Sequence, residues 1–116
     1  MGIQKKIIYE KEGRLYEKKI MVFENQKEIQ VLSNPIAWKI LKLISDRPRY
    51  TAQIAKDLEI YEQSAYYYIR KLLSIGAIGE SGTYYVKGGT AKLYAAISPA
   101  FGIEMDGEIN YPLITI

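Results

Sequence analysis

Hydrophobic and polar positions change their spacing several times along the chain, and each change predicts an element. Lys6-Ile7-Ile8-Tyr9 is a short apolar run, and Leu15 to Phe23 is a second. Between them Glu10-Lys11-Glu12-Gly13-Arg14 has turn chemistry, with Gly13 free to take a positive φ. This pattern predicts a β-hairpin, with the residues up to 33 as a lead-in. From Asn34 the period becomes helical. Asn34 suits an N-cap and Pro35 the first helical position, and Ile36, Ile40, Leu43 and Ile44 form an inward stripe. Trp38 and Leu41 fall on the other side, so this helix has two faces to cover. Arg47-Pro48-Arg49 ends it.

Thr51 is expected to cap a short second helix that runs to Leu58, with Ile54, Ala55 and Leu58 inward. Glu59-Ile60-Tyr61 reads as a tight turn. A third helix over 62–75 buries Ala65, Ile69, Leu72 and Leu73, and Gly76 stops it. From Ile78 the spacing alternates. Thr83 to Lys87 predicts a strand, Gly88-Gly89 a turn, and Ala91 to Ile97 a return strand with Leu93, Ala95 and Ile97 on one face. Ile103 to Asn110 looks like a turn between strands, and Tyr111 to Ile116 is apolar.

Three helices with a short second member, followed by a hairpin, is the order of a winged helix-turn-helix. The expected fold class is therefore α+β: a winged helix of three helices plus a β-hairpin wing, preceded by an N-terminal β-hairpin. The expected organisation is an N-terminal hairpin extension at 1–30, the winged helix at 31–101 and a strand-like tail at 102–116. That tail fits the start of a second domain, carried by a longer parent chain or lost in a shortened relative.

Composition narrows the functional classes. The chain has 116 residues, 48% hydrophobic and 25% charged, which suits one ordinary core rather than a disordered chain. No apolar run approaches the roughly 20 residues of a membrane span, and the N-terminus lacks a signal-peptide pattern, so a cytoplasmic location is expected. There is no cysteine and no histidine, which excludes disulfides, zinc fingers, thiol nucleophiles and Ser-His triads. No acidic cluster has metal-binding spacing and no glycine pattern cradles phosphate. The expectation is a protein without enzymatic activity, metal or cofactor. The net charge of +3 is unevenly spread: residues 1–33 carry +2, residues 34–98 carry +4 and residues 99–116 carry −3. The basic bias favours a polyanionic partner.

The third helix carries the candidate chemistry. At about 100° per residue, Gln63, Tyr67, Arg70, Lys71 and Ser74 lie opposite the buried stripe, with Ser64 at its border. Gln can read adenine edges, Arg can read guanine, and Ser or Tyr can hold phosphate or base. The competing reading is a solvated helix face that binds nothing. In Tyr66-Tyr67-Tyr68 the three rings point in three directions: Tyr68 toward the core, Tyr67 outward, and Tyr66 to a flank where packing and contact are equally open. In the predicted wing, Lys87 and Lys92 flank the tip and Thr90 adds a hydroxyl, suited to phosphate or the minor groove; solubilising lysines on an ordinary hairpin fit as well.

These residues also resemble a known family. Leu32-Ser33-Asn34-Pro35 with Ile40-Leu41 resembles the start of the first helix in ArsR-like winged-helix regulators, and Thr51 to Ile78 resembles their helix-turn-helix. Glu62 to Leu72, Gly88-Gly89-Thr90-Ala91-Lys92-Leu93-Tyr94 and Ser98-Pro99-Ala100-Phe101 are similar to archaeal members. The resemblance implies a homodimeric transcription regulator that binds short palindromes in double-stranded DNA. It implies that Gln63, Ser64, Tyr66, Tyr67 and Arg70 face the major groove. Two features depart from the family: the Cys or His ligands of its metal sensors are absent, and so is a C-terminal dimerisation helix. Dimer contact is then expected around Trp38 and Leu41, or at the N-terminal hairpin. A winged helix used for protein interaction, or a sequence-indifferent chromatin protein, are the alternative readings.

Overall fold

The computed structural model of the chain describes residues 2–105 and the backbone of 108–110. The chain opens with β1 (Ile3–Lys11), β2 (Arg14–Phe23), α1 (Gln26–Ser33) and α2 (Pro35–Ile44). It continues through β3 (Arg49–Tyr50), α3 (Thr51–Leu58) and α4 (Glu62–Ser74). β4 (Ile78–Val86), β5 (Gly89–Ala96), β6 (Phe101–Met105) and β7 (Glu108–Asn110) complete it. The architecture is α+β with two small sheets, ordered β1-β2-β6-β7 and β3-β5-β4.

β1 and β2 form the expected hairpin, closed by a two-residue loop between Lys11 and Arg14. Both loop residues have positive φ, Glu12 at 53° and Gly13 at 76°, which gives the twist that such loops need. Residues 8–17 are all exposed, whereas the far end of β2 is buried from Ile20 to Phe23. Met21 and Phe23 enter the main core; Ile20 and Val22 point to the other face and pack with Ala100 and Ile7.

β2 also pairs in parallel with β6, Met21 opposite Phe101 and Phe23 opposite Ile103, with the Phe23 and Phe101 rings stacked at 6.4 Å. The residues predicted as an extension and as a tail therefore share one sheet. β6 turns back onto β7, as the spacing of 103–110 predicted. The apolar stretch 111–116 lies outside the described residues.

The segment predicted as a lead-in contains a helix, α1. Asn25 caps it by accepting from the Lys27 N–H at 2.9 Å. Asn34 then ends one helix and begins the next. Its N–H donates to the Val31 carbonyl at 3.2 Å, and its Oδ1 accepts from Ile36 and Ala37 N–H at 2.9 and 3.1 Å. α2 buries Ala37, Ile40, Leu41 and Ile44. Ile36, Trp38 and Leu43 pack half-buried at the margin of the same core.

α3 corrects one expectation. Its cap position is Tyr50, with no side-chain cap bond, and Thr51 is already helical. Arg49 and Tyr50 are held extended against Tyr94 and Leu93 of β5, which moves the helix start one residue earlier. α3 and α4 then end in the same way. Glu59 takes φ 56°, with Glu59 N–H on the Lys56 carbonyl and Ile60 N–H on that of Ala55. Gly76 takes φ 77°, with Gly76 N–H on the Leu73 carbonyl and Ala77 N–H on that of Leu72. Each pair of bonds satisfies carbonyls that a helix end leaves free.

Arg49 ties α2 to α3. The side chain is 8% exposed, Nη1 donates to the Leu43 carbonyl at the end of α2, and Asp46 and Asp57 lie 3.6 and 4.0 Å away.

The β4–β5 hairpin differs from its prediction in the position of its loop. Val86 pairs with Gly89, so the loop is Lys87-Gly88 rather than Gly88-Gly89, with Gly88 at φ 91°. The buried face of β5 carries Tyr94 and Ala96, while Ile97 is 52% exposed and Leu93 and Ala95 are half-buried. Apolar residues occupy both faces of this strand, so alternation alone does not mark the buried side.

Candidate nucleic-acid interface

α4 is held by its inner face. Ala65, Ile69 and Leu72 are fully buried, and Ala55 of α3 is 6% exposed in the same core. That packing turns Gln63, Tyr66, Tyr67, Arg70, Lys71 and Ser74 to the surface, with Ser64 half-buried at the border. Every residue predicted for the outer face of this helix lies on it. Tyr68 packs against the core, as its position predicted, and meets Tyr67 edge-on at 5.1 Å.

The exposed rings are not independent of the cations. The Arg70 guanidinium lies 5.8 Å from the Tyr66 ring centre, and Lys71 Nζ lies 5.5 Å from that of Tyr67. Both pairs are four residues apart, the spacing at which helix side chains meet. Each aromatic face thus restrains the cation one turn on. Two rings and two cations thus lie side by side over residues 66–71 of the 13-residue helix. Tyr66, 48% exposed, therefore lies at the surface beside Arg70 rather than in the core. Ser74 is partly committed, since its hydroxyl donates to the Lys71 carbonyl at 2.6 Å. Its oxygen remains able to accept.

The β4–β5 hairpin presents Lys87, Thr90 and Lys92, all exposed. Lys87 is at the tip, in the loop itself, and Thr90 is opposite Tyr85 beside it. Lys92 does not flank the tip. It lies opposite Thr83 and reaches back to Glu80, Nζ to Oε1 3.2 Å. The hydrogen bond to Glu80, and then the Glu80 charge, raise its pKa above the ordinary lysine value. Burial raises the pKa of Tyr94.

The structure adds surface residues that spacing did not single out. Tyr84 stacks on Tyr50 at 5.3 Å and 12°, joining the hairpin to the start of α3. Tyr85, next to the tip, is 82% exposed. The repeated tyrosines in Thr83-Tyr84-Tyr85 were the available signal, since aromatic residues left in water suit stacking. Lys27 and Gln30 of α1 line a groove of about 510 Å³ with Tyr67, Lys71 and Ser74. They were missed because α1 itself was missed.

The residues expected at a dimer contact are placed differently. Leu41 is 0% exposed within the single chain, so it offers no surface to a second copy. Trp38 is half-buried against the same core. Among the described residues, no cluster of three acidic side chains could hold a metal ion, and no helix is long and apolar enough to cross a membrane. No protein-family model matches the chain, and no curated protein sequence matches it.

Proposed function

We propose that the protein is a sequence-specific, double-stranded DNA-binding transcription regulator of winged helix-turn-helix type. In this reading α3 braces α4, α4 enters the major groove, and the β4–β5 hairpin is the wing on the backbone or minor groove. The observation that carries it is the outer strip of α4: Gln63, Tyr66, Tyr67, Arg70, Lys71 and Ser74, all exposed on a helix whose opposite face is fully packed. A 13-residue helix is about 20 Å long, and the major groove, about 12 Å wide, admits it.

Roles follow from chemistry. Arg70 and Gln63 are the base readers, since both can form bidentate contacts with purine edges. Lys71, Lys27 and Lys87 supply phosphate contacts, which carry affinity rather than sequence choice. Thr90 and Ser74 contribute hydroxyl oxygens, and Tyr66 and Tyr67 position the cations. A homodimer in the cytoplasm would place two such helices in successive major grooves, about 34 Å apart for half-sites one turn apart. No metal or cofactor has a part in this reading, and none of these roles is enzymatic.

Selection of bound sequences from a random duplex pool tests the proposal. The expected result is an enriched, two-fold symmetric motif. Salt-sensitive binding with no enriched motif would replace it with a sequence-indifferent chromatin protein. Absence of duplex binding at low salt would favour a protein-interaction module, to which exposed Tyr61 and Tyr85 are also suited.

A further inference from the structure

Of the two expected dimer contacts, Leu41 is buried within one chain, whereas the N-terminal hairpin has the features of a self-association site. We propose that β1 is a self-pairing edge, through which two copies form a symmetric dimer centred on Ile8. The inference rests on reading the protein as a homodimer, but not on DNA binding.

β1 is nine residues long and lies at the outside of its sheet, with β2 on one side only. Such an edge presents unpaired N–H and C=O groups to any strand that fits. The exposed end of the hairpin is also apolar. Ile8 is 71% exposed and Leu15 75%, and Tyr9 and Tyr16 are each 41% exposed. Ile8 is opposite Glu17 and Leu15 comes two residues before Glu17 on β2, so Ile8 and Leu15 share one face as diagonal neighbours. Tyr9 and Tyr16 are directly opposite on the other face and stack at 5.6 Å. No described residue of the chain's own core covers this end.

Charge selects the occupant and the register. A two-fold axis normal to the sheet pairs β1 with its own copy, antiparallel, with the same faces continuous. Centred on Ile8, the pairing sets Ile8 against its own copy, Ile7 against the partner's Tyr9, and Lys6 against the partner's Glu10. Apolar, aromatic–aliphatic and opposite-charge pairs are the stabilising kinds. Centring on Ile7 instead sets Lys6 against Ile8 and Lys5 against Tyr9, with no opposite charges together. Centring on Lys6 sets that lysine against itself. The Ile8 register brings one kind of like-charge pair close, Lys5 and the partner's Lys11, at two symmetric places, and Lys5 already has Glu104 at 3.4 Å. It also relieves a repulsion within the chain. Lys6 is directly opposite Lys19 on β2, with Glu17 at 3.9 Å, so the partner's Glu10 supplies a second anion between two lysines.

Sedimentation velocity on the full chain, across a concentration series, tests this with four variants. The wild type is expected to dimerise. Lys6→Glu and Glu10→Lys each set like charges together at two symmetric places and should weaken the dimer about tenfold. The double variant Lys6→Glu/Glu10→Lys restores opposite charges and should return to within about threefold of wild type. Ile8→Lys, with two lysines on the axis, should be monomeric with an unchanged far-ultraviolet circular dichroism spectrum. A monomeric wild type would overturn the dimer reading and this interface together. A wild-type dimer that tolerates Ile8→Lys, or a double variant no better than the single ones, would overturn the interface alone.

Discussion

Lys92 Nζ lies 3.2 Å from Glu80 Oε1, across the β4–β5 hairpin and away from its tip. Both side chains are more than half exposed, at 66% and 54%, so the pair adds little to folding. In the proposed DNA-binding role it matters more, because Glu80 holds a cation that a phosphate would compete for. Glu80→Gln should release it. The expected outcome is severalfold tighter duplex binding, and a plot of log affinity against log salt steeper by about 0.9 per subunit, or about 1.8 for a dimer that gains two phosphate contacts. Fluorescence anisotropy over a salt series measures both. An unchanged slope would mean that Lys92 does not reach the backbone.

Arg70 and Tyr66 form the second testable pair. Arg70→Ala should weaken specific binding by about 1–3 kcal/mol and relax selectivity at one base position. Arg70→Lys should recover little, because a lysine cannot make the forked contact. Tyr66→Phe keeps the ring beneath the guanidinium and should cost little, whereas Tyr66→Ala should lose part of what Arg70→Ala loses. Titration of all four against selected and mismatched duplexes distinguishes base reading from simple phosphate contact.

The helix ends make a prediction about stability. Glu59 sits at φ 56°, a conformation that costs a residue with a Cβ roughly 1–2 kcal/mol. Glu59→Gly removes that strain and adds flexibility to the unfolded chain, so the net gain should be about 0.5–1 kcal/mol. Gly76→Ala at φ 77° should lose about 1 kcal/mol or more, for the same reason in reverse. Urea unfolding monitored by circular dichroism reads both, and shifts of the same sign would contradict the account.

Alkaline pH gives a further one. Tyr94 and Lys92 both have pKa values raised in the folded chain, Tyr94 by burial and Lys92 by its hydrogen bond to Glu80. The fold thus favours their protonated forms. Their contribution is complete below the ordinary values of 10.0 and 10.5 and is lost as pH rises through the folded-state values. Stability should be flat with respect to these groups at neutral pH and fall above about pH 10. In Tyr94→Phe, which has no proton to lose at that position, the fall should be shallower in urea titrations at stepped pH.

Much of the α2–α4 region was legible because its signals are local. Asn34-Pro35 marks a helix start, Ala65, Ile69 and Leu72 repeat at helical spacing, and Gly76 sits where a positive φ is required. α1 was not legible because Gln26, Lys27, Glu28 and Gln30 dilute its apolar stripe, and because one of its two buried residues is Glu28. The parallel pairing of Met21 to Phe23 with Phe101 to Ile103 joins segments far apart in sequence, and no local period announces that. The inward position of Tyr94 was hidden by Ala-Lys-Leu-Tyr-Ala-Ala-Ile, which is apolar on both faces. The exposed face of α4 was legible because it lies opposite a clear buried stripe. Lys27, Gln30 and Tyr85 had no such stripe beside them.

The central claim is that the outer strip of α4 reads DNA sequence. Its most direct test is a comparison of wild-type affinity for a pool-selected duplex and for a scrambled duplex of equal length and composition, at fixed physiological salt. The expected result is tighter binding to the selected duplex by a factor on the order of 10³ or more, and a ratio lowered about 5- to 150-fold in Arg70→Ala. Equal affinity for the two duplexes would contradict it.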